Sequence, residues 1–191
     1  MKLIFATNNP HKIQEVRSLL NETFTLVTLQ EAGINIVIEE PHDTLSDNAL
    51  EKSKTIYRLT GQDCFSEDTG LEVAALQGAP GVHTARYAGP QASATQHMEK
   101  LLYALRPHQN RAAQFRTVIS LIYQEKEFFF EGICQGRIAE SFSGIKGFGY
   151  DPIFIPEGSS RCFAEMDLEE KNFFSHRAKA FAQLKHFLLS K

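Results

Sequence analysis

The chain has 191 residues, of which 42% are hydrophobic and 23% charged, and its formal net charge is −3 at pH 7. A chain of this length buries roughly 70% of its unfolded surface, so it forms one domain, or one core with a lobe, without disulfides. The weak negative charge, with no block of basic residues, argues against broad nucleic-acid binding, which requires clustered Lys and Arg.

The cysteines and the N-terminus indicate a cytoplasmic protein. Cys64, Cys134 and Cys162 are odd in number and form no CxxC pair, so reduced thiols are expected rather than a disulfide framework or a zinc site. The first apolar run is too short for a signal peptide. We expect no membrane segment, because no stretch approaches the about 20 apolar residues that a span requires.

The first third of the chain alternates strands and helices. An apolar strand at residues 3–6 leads into a helix with apolar residues at helical spacing. Further strands are predicted at 24–29 (FTLVTL) and 34–38 (INIVI). Residues 45–61 (LSDNALEKSKTIYRLTG) then predict a helix of about four turns that ends at Gly61.

The middle of the chain begins with residues 63–76 (DCFSEDTGLEVAAL), which predict a strand, a polar turn and a second strand. Glycines and a proline in 78–89 (GAPGVHTARYAG) predict a structured loop, and residues 92–106 predict a helix. Segments 112–123 and 127–138 alternate like strands across a short polar turn and predict a long hairpin.

The last third begins with a glycine-rich loop that leads to a short strand (GIKGFGYDPIFI). One or two helical turns (AEMDLEEKN) and a terminal helix (HRAKAFAQLKHFLLS) follow. Because strands and helices intermix along the chain, we expect an α/β or α+β fold with a mixed sheet.

The first candidate site follows the first strand, where Thr7, Asn9 and Lys12 open a helix. Free N–H groups and the helix dipole favour anions at such a junction, and Lys12 adds a positive charge. The same residues also suit a plain strand-to-helix turn in which Asn9 caps the helix. The Walker pattern G-x-x-x-x-G-K-[ST] is absent, which excludes an ordinary P-loop.

The second candidate site is the acid pair Glu67 and Asp68 in SEDTG. Paired carboxylates hold magnesium or accept protons, although they equally suit a solvated turn in which Gly70 supplies a positive φ. Asp47, on the same predicted helix as Lys52, is a further acid. An acid in the first turn also favours the helix dipole without any ligand.

The third candidate site is GFGYDP, residues 147–152. Its glycines let the backbone approach a flat ligand, Phe148 or Tyr150 offers a ring to stack on a base, and Asp151 offers an acceptor. The alternative is a tight turn before a strand.

The fourth candidate site opens the terminal helix, which Ser175 is predicted to cap. His176 and Arg177 then lie in the first turn, where basic residues oppose the helix dipole. This placement favours a functional role, with an ordinary surface position as the alternative. Together, the four candidates describe a nucleoside triphosphate site, with Lys171, His176 and Arg177 facing the polar edges of the base.

Seven motifs occur in order from residue 2 to about residue 181: ATNNPHK, DNALEKS, SEDTGLEV, GAPGVHTARYAG, GFGYDPIF, AEM with EEKN, and SHRAKA. In this combination the chain resembles the inosine triphosphate pyrophosphatases, which remove non-standard purine nucleoside triphosphates. The resemblance implies one pyrophosphatase domain over residues 1–191, with a mixed, strongly twisted central sheet and flanking helices in two lobes around an active-site cleft. It also implies a homodimer and magnesium-dependent hydrolysis of ITP, dITP and XTP to the monophosphate and pyrophosphate.

The resemblance also implies residue roles. The phosphates would be held by Thr7, Asn8, Asn9, Pro10, His11 and Lys12. The rest of the nucleotide would contact Thr69, Phe148, Gly149, Tyr150, Asp151, Lys171, His176 and Arg177. Magnesium would be held by Asp47, Glu67 and Asp68, and Asp68 would also activate the attacking water. The chain departs from the family pattern at Asn8, where Gly is frequent, at Asp47, where Glu is more usual, and at Glu67, where Asp is often found.

Two other functions stay open. One is a pyrophosphatase of similar fold that acts on modified pyrimidine triphosphates, against which the SHR and GFGYDP segments argue. The other is a non-catalytic nucleotide-binding module. A pure binder has no need of acids at 47, 67 and 68 near phosphates, so the acid set argues against this function.

Overall fold

The computed structural model describes residues 1–20 and 24–191. Within these ranges the fold is α/β with a mixed sheet. The strands are β1 (Lys2–Phe5), β2 (Thr25–Thr28), β3 (Cys64–Val73), β4 (Pro80–Gly81), β5 (Ala112–Tyr123), β6 (Lys126–Ile138) and β7 (Phe154–Pro156). The α-helices are α1 (Pro10–Leu19), α2 (Leu45–Thr60), α3 (Ala94–Ala104), α4 (Leu168–Phe174) and α5 (His176–Leu189).

The strand order is β2-β1-β3-β5-β6-β7, and β4 pairs with β3. Strand β1 pairs in parallel with β2 and β3, whereas β4 runs antiparallel to β3 and β7 antiparallel to β6. Along the described ranges, no helix is both long and apolar enough to cross a membrane.

The chain divides into two compact units. Unit 1 comprises Met1–Asp68, Thr117–Gly132 and Arg177–Lys191, and unit 2 comprises Thr69–Arg116 and Ile133–His176. That the chain is one domain with two lobes stays a prediction.

Unit 1 is built around aromatic contacts between β1, β3 and α5. Phe5 and Phe65 face each other in register on β1 and β3, with ring centroids 4.6 Å apart. Phe181 of α5 packs edge-on against Phe65 at 5.7 Å. These buried rings place the carboxyl end of β1 beside the start of β3, just before the acids Glu67 and Asp68.

Unit 2 has its own aromatic core. Phe115 contacts Phe154 at 4.7 Å and Phe163 at 6.3 Å. Leu101 of α3 and Leu105, which caps that helix, are fully buried in the same cluster. This core supports the loop that precedes β7.

Most predicted elements are confirmed. Helix α2 ends at Gly61, whose φ of 63° is the left-handed conformation that closes many helices. Strands β5 and β6 form the predicted hairpin across Gln124 and Glu125, whose φ angles of 49° and 65° suit the tight turns that match strand twist.

Two predictions about strands are wrong. Residues 34–38 form no strand, because their alternation reflects packing of Ile34, Ile36 and Ile38 on one side and not pairing with another strand. The predicted polar turn in 63–76 does not exist, since β3 continues through it from Cys64 to Val73. Its two acids are stabilised inside the strand by cations from the helices of unit 1.

Candidate functional site

The turn between β1 and α1 is built by two side chains that bind backbone N–H groups. Asn9 caps α1, and its Oδ1 accepts from the N–H groups of His11 at 3.0 Å and Lys12 at 3.3 Å. Thr7 Oγ1 accepts from the Asn9 N–H at 3.2 Å, and Pro10 occupies the first helical position. The capping interpretation of Asn9 is therefore confirmed.

The side chain of Lys12 leaves this turn and points to β3. Its Nζ lies 3.5 Å from Glu67 Oε1 and 3.5 Å from the Glu67 carbonyl oxygen. Burial lowers the pKa of Lys12 below its usual value, against the opposing pull of Glu67. A lysine in this setting is a positive charge with little water around it.

Glu67 is bound mainly by Arg177, which lies at the start of α5 and belongs to unit 1. Arg177 Nε lies 3.0 and 2.9 Å from the two Glu67 oxygens, and Nη2 lies 2.8 Å from Oε1. Arg177 Nη1 also donates to the carboxylate of Glu15 on α1. Burial raises the pKa of Glu67, but Arg177 and Lys12 outweigh it, so that pKa lies below its usual value.

Asp68, the next residue on β3, belongs to a second charged group. Lys52 Nζ of α2 donates to Asp68 Oδ1 at 2.9 Å and to Glu40 Oε1 at 2.5 Å. Burial raises the pKa of Asp68 above its usual value, with Glu40 adding to the effect and Lys52 and Lys12 opposing it. The pKa of Lys52 is raised, since the two carboxylates outweigh its burial.

These two groups differ in charge balance. Lys12 and Arg177 balance Glu15 and Glu67, whereas Lys52 is shared between the two carboxylates of Glu40 and Asp68. Because both carboxylates bind the same ammonium, Glu40 and Asp68 lie close to each other. The second group therefore has one uncompensated negative charge when both acids are ionised, which suits an added cation.

The oxygen donors of this second group fit magnesium. Mg²⁺ is commonly bound by one or two carboxylates, with substrate phosphates and waters completing its coordination. In the described part of the chain, no three His, Cys, Asp or Glu side chains are placed to hold a metal by themselves. A divalent ion at Glu40 and Asp68 would therefore take waters or phosphate oxygens as its remaining ligands.

Asp47 lies apart from these charges. It is exposed in the first turn of α2, where its Oδ2 accepts from Thr44 Oγ1 at 2.7 Å and its N–H donates to the same hydroxyl at 3.1 Å. Its neighbour Asn48 is fully buried. Asp47 as a metal ligand stays a prediction, and in the structure its carboxylate binds the hydroxyl of Thr44, the residue that caps α2.

In unit 2, Asp151 organises the loop that carries Phe148. Asp151 Oδ2 accepts from the Phe148 N–H at 2.9 Å and from Lys171 Nζ at 2.5 Å. Gly147 has a φ of 74°, which strains other residues, and a Cβ there would lie 2.0 Å from Asp151 Oδ2 and displace this carboxylate. Lys171 Nζ lies 5.1 Å from the centre of the Phe148 ring, within cation–π range.

Other residues predicted in this unit have structural partners. The hydroxyl of buried Tyr150 donates to the Thr84 carbonyl oxygen at 3.0 Å. His176 is buried and stacks on Phe115 at 4.7 Å. Thr69 is partly buried on β3, and Gly149 has a φ of 62° in the loop.

The structure thus brings together Lys12, Glu67, Asp68 and Arg177 in unit 1, and Phe148, Asp151 and Lys171 in unit 2. Asn8 and His11 are exposed, and the Asn8 amide donates to the Ile36 carbonyl oxygen at 2.9 Å. Sequence reasoning missed Glu15 and Glu40. Glu15 lies three residues after Lys12 on one face of α1, a spacing that could have indicated it, whereas no local signal marks Glu40.

Comparisons with known proteins agree with this fold. A profile of the Ham1 family matches residues 3–187. A dITP/XTP pyrophosphatase of Porphyromonas gingivalis is 53% identical over 190 residues, which are 98% of this chain and 97% of that protein. A dITP/XTP pyrophosphatase of Flavobacterium johnsoniae is 49% identical over 184 residues, which are 96% of each chain.

Solved structures are also similar. The Ham1 protein of Coxiella burnetii matches over 100% of both chains with a TM-score of 0.91 and 34% identity. The Ham1 protein of Staphylococcus aureus matches over 100% of this chain and 99% of that chain with a TM-score of 0.90 and 34% identity. The predicted α/β class is confirmed, and the chain belongs to the Ham1 family.

Proposed function

We propose that this chain hydrolyses ITP, dITP and XTP to the monophosphate and pyrophosphate with Mg²⁺, as a cytoplasmic homodimer that removes these nucleotides from the pool. The names of the relatives, which are dITP/XTP pyrophosphatases over nearly the full length of this chain, support the reaction. The observation that carries the proposal is the group formed by Glu40, Lys52 and Asp68. In this group the carboxylate of Asp68 is buried and its pKa is raised. The group also has one uncompensated negative charge when both acids are ionised.

Asp68 is proposed as the general base. A base works best when its pKa is near the working pH, and burial shifts the pKa of Asp68 in that direction. Lys52, 2.9 Å away, orients the carboxylate and stabilises its charged form. Asp68 would take the proton of the water that attacks the α-phosphorus.

Glu40 and Asp68 are proposed to hold the magnesium ion, in place of Asp47 and Glu67. The reason is geometric: the Asp47 carboxylate accepts from the Thr44 hydroxyl, and the two oxygens of Glu67 accept from Arg177. When bound, Mg²⁺ would neutralise phosphate oxygens and support the leaving of pyrophosphate.

Lys12 is proposed to donate to phosphate oxygens at the start of α1. Its ammonium lies 3.5 Å from Glu67, which is longer than an ordinary hydrogen bond. A phosphate oxygen at a shorter distance would therefore bind this ammonium more strongly. The capped helix start adds its dipole in the same direction. Arg177 would act through Glu67 by fixing the carboxylate that faces Lys12.

The base is proposed to contact Phe148 and Lys171 in unit 2. Hypoxanthine and xanthine carry a 6-oxo acceptor where adenine carries an amine, and an ammonium can only donate. Lys171 therefore favours the 6-oxo bases, and Asp151 holds it in place. His176 would contribute to the same recognition from its position against Phe115.

The test is pyrophosphate release from ITP, dITP, XTP, GTP, ATP and a modified pyrimidine triphosphate, each with and without MgCl₂. We expect release from the first three, dependent on magnesium, and a loss of about 10²- to 10⁴-fold in kcat for Asp68→Asn. Asp63→Asn is the matched control, because Asp63 precedes β3 and its carboxylate accepts from the Gln124 backbone N–H. A preference for the pyrimidine would support the sibling enzyme, and nucleotide binding without release would support the non-catalytic module.

A further inference from the structure

Glu40 lies in residues 34–43, a stretch of backbone that belongs to no helix or strand. Ile34, Ile36 and Ile38 pack, partly buried, on the hydrophobic cluster of unit 1 that includes Ile4 and Ile56. Because these ten residues join no strand, no sheet ladder fixes their register. The position of the Glu40 carboxylate therefore depends on this packing and on the side chains that bind the backbone on either side of Glu40.

Asn48 binds this backbone at two points. It is fully buried in the first turn of α2, where its Oδ1 accepts from the His42 N–H at 2.9 Å and its Nδ2 donates to the His42 carbonyl oxygen at 3.0 Å. An N–H only donates and a carbonyl only accepts, so the pair of bonds fixes the orientation of the amide. With Asn8 on Ile36, the segment is held on both sides of Glu40.

We infer that Asn48 is a positioning residue that holds Glu40 beside Asp68 and Lys52, and so sets the affinity of this group for a divalent cation. The effect on catalysis rests on the proposed function, whereas the effect on Glu40 does not. If Glu40 moves away, Lys52 balances Asp68 by itself and the uncompensated negative charge is lost. The affinity for a cation then falls even though Asn48 touches no part of the substrate.

The charge of Glu40 by itself does not secure this position. Its side chain is 30% exposed, and one ammonium is shared between two carboxylates. If the backbone of residues 34–43 moves, the Glu40 side chain moves with it. An exposed ion pair contributes little stabilisation unless its geometry is well fixed. The two bonds from buried Asn48 provide the fixed backbone geometry that this ion pair requires.

The variants are Asn48→Ala, Asn48→Asp, Glu40→Gln and the double variant Asn48→Ala/Glu40→Gln, with Asn110→Ala as the matched control. Asn110 also binds a backbone N–H, that of Ala112, but lies in unit 2 and has no charged partner among its described contacts. Asn48→Asp keeps the acceptor for the His42 N–H if Asn48→Ala folds poorly. Three quantities are measured: Mn²⁺ binding to the nucleotide-free protein by electron paramagnetic resonance, hydrogen exchange of residues 34–43, and the Mg²⁺ dependence of pyrophosphate release.

We expect Asn48→Ala to weaken Mn²⁺ binding by about tenfold, in line with other residues that support metal ligands, and to raise exchange in residues 34–43. In the Glu40→Gln background the same change should add less than about twofold, because coupled residues are not additive. Equal losses in both backgrounds would show that Asn48 acts only through helix α2 and would overturn the inference, as would unchanged exchange. Wild-type protein that binds Mn²⁺ but releases no pyrophosphate would overturn the proposed function and leave the inference about Glu40 standing. Absence of Mn²⁺ binding would overturn the link to a cation.

Discussion

Arg177 binds the Glu67 carboxylate through two nitrogens, with Nε 2.9 Å from Oε2 and Nη2 2.8 Å from Oε1. Both side chains are almost fully buried, with exposures of 2% and 0%. A buried ion pair contributes little compared with an apolar replacement, but losing one partner leaves an unpaired charge in the interior. The pair joins α5 to β3, and removal of either partner is therefore expected to destabilise the protein.

We predict that Arg177→Ala destabilises the protein by about 3–5 kcal/mol, because Glu67 and Glu15 lose their shared partner. Urea unfolding followed by circular dichroism measures the loss. Arg17→Ala is the matched control, since Arg17 pairs with Glu31 at 2.8 Å on the surface and its removal should matter little. Similar unfolding midpoints for the two variants would show that the buried pair has no special weight.

The second prediction concerns acid. The pKa of Glu67 is depressed in the folded protein, so its contribution is fully present above the unfolded value of about 4.3 and is lost as the pH falls through the lower folded value. The stability difference between wild type and Glu67→Gln should therefore be constant near neutral pH and shrink below about pH 4. Urea midpoints between pH 7 and pH 3 test this. A difference that stays the same at every pH would mean that Glu67 does not titrate in this way.

Regular elements were predictable because local patterns decide them. Helix α2 was found from its apolar spacing and Gly61, and the hairpin β5–β6 from alternation across a polar turn. Residues 34–38 show the limit of the method, because alternation reports which side chains face a core and says nothing about whether another strand is available. The polar run SEDTG predicts a turn, but it lies inside β3. Such a run is stable within a strand only with partners from elsewhere in the chain, which local sequence does not show.

The candidate site follows the same division. Local sequence indicates Lys12 as the cation that follows the first strand, and Asp68 as one of two adjacent acids. Glu15 meets Arg177 across 162 residues of sequence, and Glu40 reaches Lys52 from a stretch that is neither helix nor strand. Such pairings depend on tertiary packing, and no local spacing carries them.

A third prediction separates phosphate from nucleoside recognition. Lys12→Ala should weaken binding of pyrophosphate and of a triphosphate by about ten- to a hundredfold, since a hydrogen bond to a charged group contributes about 1.5–3 kcal/mol. Inosine should bind unchanged. Calorimetric titration with inorganic pyrophosphate, a non-hydrolysable triphosphate analogue and inosine measures the three affinities.

Lys54→Ala is the control for Lys12→Ala. Lys54 also pairs with a glutamate, Glu127, at 2.8 Å, but this pair is partly exposed. Its removal should leave the affinity for pyrophosphate unchanged. Equal losses for inosine and pyrophosphate in Lys12→Ala would show that Lys12 does not face the phosphates.

The last prediction concerns choice of base. Lys171→Ala should lower kcat/KM for ITP by about ten- to a hundredfold, because the 6-oxo acceptor loses a charged donor. ATP presents an amine at that position and gains nothing from the ammonium, so its slower hydrolysis should change little. Asp151→Asn should likewise lower kcat/KM for ITP relative to ATP, since the Lys171 ammonium loses the carboxylate that binds it at 2.5 Å.

Arg177→Lys provides the contrast that decides between two roles for these cations. It keeps a positive charge beside Glu67 but loses the bidentate geometry, so rates for ITP and ATP should fall by a similar factor. Measuring both nucleotides in all three variants therefore separates selection of the base from support of the charged group around Glu67. The opposite result is that Lys171→Ala lowers the hydrolysis rates of ITP and ATP equally while Arg177→Lys changes the ratio of these rates. Arg177 would then recognise the base, as the resemblance to inosine triphosphate pyrophosphatases implies, and the role proposed for Lys171 would be wrong.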